Sequence, residues 1–319
     1  MQIGLRLPQT GKNQATKANI VHLAKQAEKA GFHSLWVLER LLWPINPLNP
    51  YPGTKDGMFP DDWQYIFDPL ETLSFVAANT SKINLGTSVI DMLFHNPVVL
   101  ARRFATLDIL SGGRALAGFG IGWSEDEYRV SGIPFIDRGK RAEEYIQVLK
   151  RIWAEDIVDF KGEFYNIPAS KIGPKPTQKP HIPIYLGGYS QRTFARIAKH
   201  ANGWICTIRD SLNQVNLNIE KIKDECRKVN RDPKEIVIAA ILYPNVIEPD
   251  YKDGSPGHEN QRQFSRQLFT GNFDQVGNDL LEVKKIGVNY MIFNYNRSSI
   301  SNNIDGIIEV SKRLWTFIR

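Results

Sequence analysis

The chain has 319 residues, of which 42% are hydrophobic and 23% charged, a balance that excludes disordered, collagen-like and coiled-coil proteins. No run reaches the ~18 uninterrupted apolar residues of a membrane span, and the opening MQIGLRLPQTG reads as a strand rather than a secretory leader. The net charge of +6 is dispersed among acidic residues, which argues against a nucleic-acid face and for a basic mouth that draws in an anionic cofactor or substrate.

Short apolar runs alternate with amphipathic stretches along the chain. The first strand candidates are IGLRLP (3–8) and SLWVL (34–38), followed by a Pro-, Asn-, Gly- and aromatic-rich insertion over 41–66. INLGTSVI (83–90) comes next, and Asn96-Pro97 then marks a helix start, a cap before a first-turn proline. After ALAGFG (115–120), Asp137 is a candidate N-cap, and Tyr145, Val148, Leu149 and Ile152 form one helical stripe. A second insertion, 156–180, opens with a hairpin-like DIVDFKGEFYNI and ends in GPKPTQKP. IPIYLG (182–187) leads to a cap at Ser190, and GWICT (203–207) to a stripe of Val215, Ile219, Ile222, Cys226 and Val229. IVIAAIL (236–242), a polar insertion over 243–270, VNYMIFN (288–294) and a stripe of Ile304, Ile307, Ile308 and Leu314 complete the chain. Most of these strands are continuously apolar, as parallel strands covered on both faces are. Eight strands alternating with helices predict one (β/α)8 TIM-barrel domain over 1–319, with lids or interface elements in the three insertions. A doubly wound sheet is the alternative, but LPQTGKNQ supplies no G-x-G-x-x-G after the first strand.

In such a barrel the C-terminal strand ends carry the chemistry. Here they are Pro8 and Gln9, Glu39 and Arg40, Ser88 to Asp91, Gly120 to Trp123, Gly187 to Ser190, Thr207 to Arg209, and Asn294 to Arg297. There is no H-x-x-x-H, and no nucleophile elbow G-x-S-x-G, so neither a metal site nor a serine hydrolase is expected. Of six histidines, only His95 closely follows a strand end. Cys206 and Cys226 are too few for a disulfide framework, and a reducing cytoplasm is expected, with a single disulfide as the alternative. A mouth poor in acids, bases and ligands but rich in glycine suits a cofactor that brings its own chemistry. Gly187-Gly188-Tyr189-Ser190 reads either as a phosphate-binding turn at a helix N-terminus or as an ordinary turn. Gly118, Gly120 and Gly122 either leave room for a flat ring or serve tight barrel packing.

The ordered set INLGTSVI, HNPVVLARRFATLDILSGGRALAGFGIGW (95–123), RGKRAEEYIQVLKRIW (138–153), FKGEFYNI (160–167), GPKPTQKPHIPIYLGGYS (173–190) and ANGW (201–204) resembles the bacterial luciferase-like monooxygenase family. That family contains reduced-flavin-dependent and deazaflavin (coenzyme F420)-dependent oxidoreductases. The resemblance implies a TIM barrel holding FMN or F420 at its C-terminal mouth. It places Thr87, Ser88 and Val89 at a bulge, often with a non-proline cis peptide, that backs the cofactor ring. Gly120, Ile121 and Gly122 would lie along the cofactor tail, and Gly187, Gly188, Tyr189 and Ser190 would bind its phosphate. Ser111-Gly112-Gly113-Arg114 is a family signature that reads as a helix C-cap at the far end of the barrel.

The departure lies at Glu39 and Arg40, the candidate catalytic pair. Many relatives carry an acid followed by histidine there. Arginine stays protonated and cannot act as a base. Arg40 is expected either to pair with Glu39 or to hold an anionic oxygen in a bidentate fork. Leu41, Leu42, Trp43, Tyr51, Met58, Phe59, Trp63 and Tyr65 would wall a pocket or form a dimer surface, and Met92, Leu93, Phe94 and Trp123 would add apolar surface near the ring. The expected function is oxidation–reduction of a small, largely apolar substrate, in a homodimer, with a separate reductase supplying reduced cofactor. The competing readings are a non-catalytic flavin-binding barrel that has lost its base, and a lyase using the 187–190 turn for substrate phosphate.

Overall fold

The computed structural model describes residues 1–209, 211–247, 266–296 and 298–319. Eight parallel strands form its centre: β1 (Gln2–Arg6), β2 (Ser34–Val37), β3 (Asn84–Thr87), β4 (Ala115–Gly120), β5 (Ile184–Gly187), β6 (Gly203–Thr207), β7 (Val237–Leu242) and β8 (Tyr290–Phe293). Their order is β3-β2-β1-β8-β7-β6-β5-β4, and β3 pairs back onto β4, so the sheet closes into a (β/α)8 barrel. All eight strands expected from the sequence are present.

Alternation along each strand sorts the side chains into two layers. Ile3, Leu5 and Leu7 face outward into the main core beneath the helices. Trp36, Leu116, Tyr185, Ile205, Ala239, Ile241 and Ile292 fill the barrel interior. Gly4 and Gly86 lie on the two strands flanking β2, and a Cβ at either would run into the Trp36 indole. The indole occupies the space those two glycines leave.

The helices cover the outer layer: α1 (Lys17–Ala30), α2 (Pro69–Ala77), α3 (Pro97–Ser111), α4 (Glu125–Val130), α5 (Arg138–Ala154), α6 (Gln191–His200), α7 (Leu212–Lys228), α8 (Phe273–Lys285) and α9 (Ile304–Ile318). Asn96 caps α3 through bonds from the Val98 and Val99 N–H groups, and Ser190 caps α6 through Thr193 N–H. Asp137 does not cap α5. Its φ of 58° turns the side chain away from the first-turn amides, and no side-chain cap bond forms. The α7 stripe ends at Cys226, because Val229 lies beyond the helix and is 45% exposed. Both cysteines are buried and free, so they form no disulfide.

The first insertion contains a short 3-10 turn, Asp61–Gln64. The second holds an antiparallel hairpin, Ile157–Lys161 with Asn166–Lys171, and cis peptides at Gly173-Pro174 and Lys179-Pro180. Most of the third, 248–265, lies outside the described residues; its flanks, Asn245–Val246 and Thr270–Gly271, pair in parallel.

Candidate functional site at the barrel mouth

The third strand breaks at Ser88-Val89, whose peptide bond is cis, and resumes as Ile90–Asp91 paired with Phe119 and Gly120. Neighbouring backbone holds this break in place. Ser88 N–H donates to Val37 O at 2.6 Å, and Glu39 N–H donates to Val89 O at 3.1 Å. Thr87 Oγ1 donates to Gly118 O (2.7 Å) and accepts from Gly118 N–H (2.9 Å), bridging β3 to β4. A Cβ at Gly118 would overlap the Thr87 carbonyl oxygen, and one at Gly120 would strike the Asp91 carboxylate and Val89. Both glycines therefore serve close packing of β4 against β3.

Glu39 ends β2 at the lip of this break. Its Oε1 lies 2.7 Å from His95 Nε2, and its Oε2 accepts Asp91 N–H at 3.0 Å. The Glu39 side chain is 5% exposed and that of His95 is 18% exposed, so the imidazole is the more accessible member of the pair. Asp91 is buried, accepts Gly122 N–H at 3.0 Å, and has its carboxyl pushed up to about 6 by burial, against the pull of Arg40.

Arg40 is not paired with Glu39. Its guanidinium forms a buried ion pair with Glu127 of α4, with Nε donating to Oε1 at 3.0 Å, and lies over the rings of Trp63 (5.5 Å) and Trp123 (5.1 Å). Glu127 also accepts Leu41 N–H at 2.8 Å. With its fork occupied and its faces covered, Arg40 is not presented to an anionic ligand.

Across β5, Gly188 has φ 119°, a conformation that favours glycine, and turns the chain into α6. Ser190 takes the Thr193 N–H, which leaves the Gln191 and Arg192 N–H groups without intrahelical partners at an open helix start. The Tyr189 hydroxyl accepts Thr207 N–H at 2.8 Å, tying this turn to β6. Ile121 carries no charge, and its carbonyl accepts from the Tyr128 hydroxyl.

The first insertion walls the mouth with aromatic rings. Tyr51 packs on Trp63 (4.9 Å) and Trp123 (5.4 Å), and Phe59 on Trp123 (5.2 Å). Leu41, Met58 and Tyr65 point largely to solvent instead. Met92 and Leu93 are buried in the outer core and Phe94 packs on Tyr128, so of that apolar group only Trp123 joins the wall. Gln9 is also committed to structure, donating to Leu38 O and Phe67 O. Arg297 lies outside the described residues. Among the described residues no cluster of three or more His, Cys, Asp or Glu could hold a metal.

The sequence reading missed the His95 contact to Glu39 and the engagement of Arg40 by Glu127. It also passed over Arg6. The register of IGLRLP contains that signal: Arg6 shares a face with Gly4, which abuts the interior Trp36, so it too points into the barrel.

A family model described as luciferase-like monooxygenase matches residues 1–252. The chain belongs to this family. An uncharacterized protein of Mycobacterium tuberculosis is 34% identical over 223 residues, 69% of this chain and 78% of its own length. An F420-dependent glucose-6-phosphate dehydrogenase of Amycolatopsis mediterranei is 32% identical over 193 residues, 59% of this chain and 53% of its own. The crystal structure of the monooxygenase RslO1 from Streptomyces bottropensis superposes with a TM-score of 0.78 at 20% identity, covering 99% of both chains. The luciferase-like match includes the β3 break, Glu39, His95 and the 187–190 turn; β8 and the last two helices lie beyond it.

Proposed function

We propose that the protein is an oxidoreductase that binds reduced FMN or coenzyme F420 at the barrel mouth and acts on a small organic substrate, with the Glu39–His95 pair handling protons. The observation that carries this reading is the 2.7 Å contact between His95 Nε2 and Glu39 Oε1 beside the Ser88-Val89 break. In sequence, Arg40 leaves position 40 without an imidazole, which is the ground for a non-catalytic reading. In the fold His95 brings an imidazole to the same carboxyl group, which supports the catalytic reading. Arg40 becomes a positioning residue.

The surroundings fit a flat, phosphate-bearing cofactor. Thr87, Ser88 and Val89 would back its ring, Gly120, Ile121 and Gly122 would lie along its tail, and the Gly187–Ser190 turn with the open start of α6 would take its phosphate. When bound, the reduced cofactor supplies a hydride, or electrons to oxygen in the FMN case. Glu39 orients the His95 ring, and His95 delivers or removes the proton that accompanies transfer at the substrate. The aromatic wall excludes water and packs against apolar parts of the substrate. Similarity to an F420-dependent dehydrogenase favours F420, and hence hydride transfer, as the first case to examine. From the family we also infer a cytoplasmic homodimer, and for FMN a separate reductase that supplies it reduced; light scattering after size exclusion tests the dimer.

The deciding experiment titrates the purified protein with FMN and F420, oxidised and reduced, by fluorescence and absorbance. One of them should bind well below ~100 μM, about 5.5 kcal/mol on the affinity scale; failure of both overturns the assignment. His95→Asn and Glu39→Gln should keep cofactor binding and lower turnover by about 10²–10⁴-fold, the range for a general acid–base group. Unchanged turnover in both variants would remove the pair from the mechanism, and binding without any substrate consumption would reinstate the carrier reading.

A further inference from the structure

At the end of β1 the mouth holds a buried cation to which the proposed mechanism gives no role. Arg6 ends β1, in register with Trp36 of β2, and points into the barrel one inward position beyond Gly4, toward the mouth. It is 7% exposed, and among the described residues neither Nε nor Nη2 has a hydrogen-bond partner. An unpaired guanidinium buried this far is costly, and burial pulls its pKa down. Among the described residues, Tyr243, Asp62 and Tyr51 are the ionisable groups whose charge acts on it. The Asp62 carboxylate is held elsewhere, accepting from Thr10 Oγ1 at 2.5 Å and Asn296 Nδ2 at 3.4 Å.

Arg209, just beyond β6, shares two of those groups. Its Nη2 donates to the Tyr51 hydroxyl at 3.3 Å, and its guanidinium lies 5.7 Å from the Tyr243 ring centre. Arg209 thus touches the same two tyrosines whose charge acts on Arg6. Arg6 stands on β1, two strands from the ring-backing segment on β3, and Arg209 follows β6, the neighbour of β5 and its 187–190 turn.

We propose that Arg6 and Arg209 form an anion subsite for the substrate, so that the substrate is a small organic molecule with a carboxylate or phosphate head and an apolar or aromatic body. This deepens the function proposed above and rests on it. The anion would supply the acceptors that Arg6 Nε and Nη2 lack, in the planar geometry at which a guanidinium fork binds oxyanions best. Arg209, held by the Tyr51 hydroxyl, would supply the second positive charge. The apolar body would then lie toward the Trp63–Trp123 wall, which Tyr51 joins to the subsite.

The test uses the full-length protein. Thermal shift and calorimetry on the cofactor-free protein, at constant ionic strength, compare benzoate, inorganic phosphate and chloride as probes. Benzoate or phosphate should bind saturably at one site where chloride does not, and the stronger of the two identifies the head group. Arg6→Met and, as a second variant, Arg6→Gln should weaken that binding at least about tenfold, the loss expected for one charge-assisted hydrogen bond. FMN or F420 binding should change less than twofold. Anion binding that survives in a folded Arg6 variant overturns the subsite, as does an Arg6 variant that loses the cofactor instead. Cofactor binding without anion binding in the wild type overturns the subsite alone. Anion binding without either cofactor overturns the oxidoreductase reading, and with it the assignment of the subsite to that reaction's substrate.

Discussion

Asp91 makes the stability of the fold depend on pH. Burial raises its carboxyl from 3.8 to about 6 in the fold, with Arg40 and the Gly122 N–H pulling the other way and Glu39 adding to the rise. The folded pKa is above the unfolded one, so the native state binds the proton more tightly. Stability is therefore lost as pH rises from about 4 to about 6, by at most ~3 kcal/mol, and is flat beyond. Asp91→Asn keeps an acceptor for Gly122 and removes the titration. Urea unfolding should show the variant gaining on the wild type across that window, by about 1–3 kcal/mol, with the two profiles parallel above it. A difference independent of pH would refute the assignment. The same cluster shows what one sequence can and cannot reveal about single residues. Glu39 stands out in the sequence because it directly follows a strand segment of a recognisable barrel. Its partner does not, because His95 belongs to a loop 56 residues away and only the β3 break brings it back. The expected Arg40–Glu39 pair gives way to one with Glu127 for the same reason: nothing in the spacing says that α4 folds over Arg40.

At the level of elements, the crossing of β3 and β4 and the tether from β2 to α4 shape the site, and each makes a measurable claim. Gly118→Ala would drive a methyl group into the Thr87 carbonyl, a backbone atom that cannot step aside, and toward Ile205 Cδ1 at 2.9 Å. It should destabilise by about 3 kcal/mol or more, at the upper end of overpacking costs. Gly112→Ala is the control: nothing lies within 4 Å of its Cβ position, and only its φ of 70° is strained. That should cost about 1–2 kcal/mol. Equal midpoint shifts in urea would contradict the steric account. The Arg40–Glu127 pair is buried on both sides, so Arg40→Met or Glu127→Gln alone should cost about 3–5 kcal/mol by leaving one charge unpaired. The double change Arg40→Met with Glu127→Leu should recover most of this, which chemical denaturation of the four proteins would measure. Elements themselves were easy to read. Parallel strands buried on both faces stay apolar without interruption, and Asn96 and Ser190 are caps of the strongest type. Asp137 failed as a cap because a residue in the left-handed region aims its side chain elsewhere, and φ is not written in residue type.

On the scale of the whole molecule, the two ends of the chain are joined. β1 pairs with β2 on one side and β8 on the other, and α9 packs on α1. The family match ends at 252, yet β8 supplies the pairing edge between β1 and β7, without which both would be open strands prone to association. The last helix seals that seam. Ile304, Ile307, Leu314 and Ile318 are each less than a tenth exposed, and Trp315 stacks on Phe32 with ring centres 5.5 Å apart. The four aliphatic side chains alone contribute about 6–12 kcal/mol at ~1.5–3 kcal/mol each. That matches the entire net stability of an ordinary domain, about 5–15 kcal/mol. The exposed His22–Asp305 contact across the same seam adds little. A chain cut after Asn303 should therefore not unfold at a lower temperature but lose its cooperative transition and elute as aggregate. Circular dichroism melting and size exclusion would show this. A monomeric truncated protein with a sharp transition would mean that the barrel closes without its last helix.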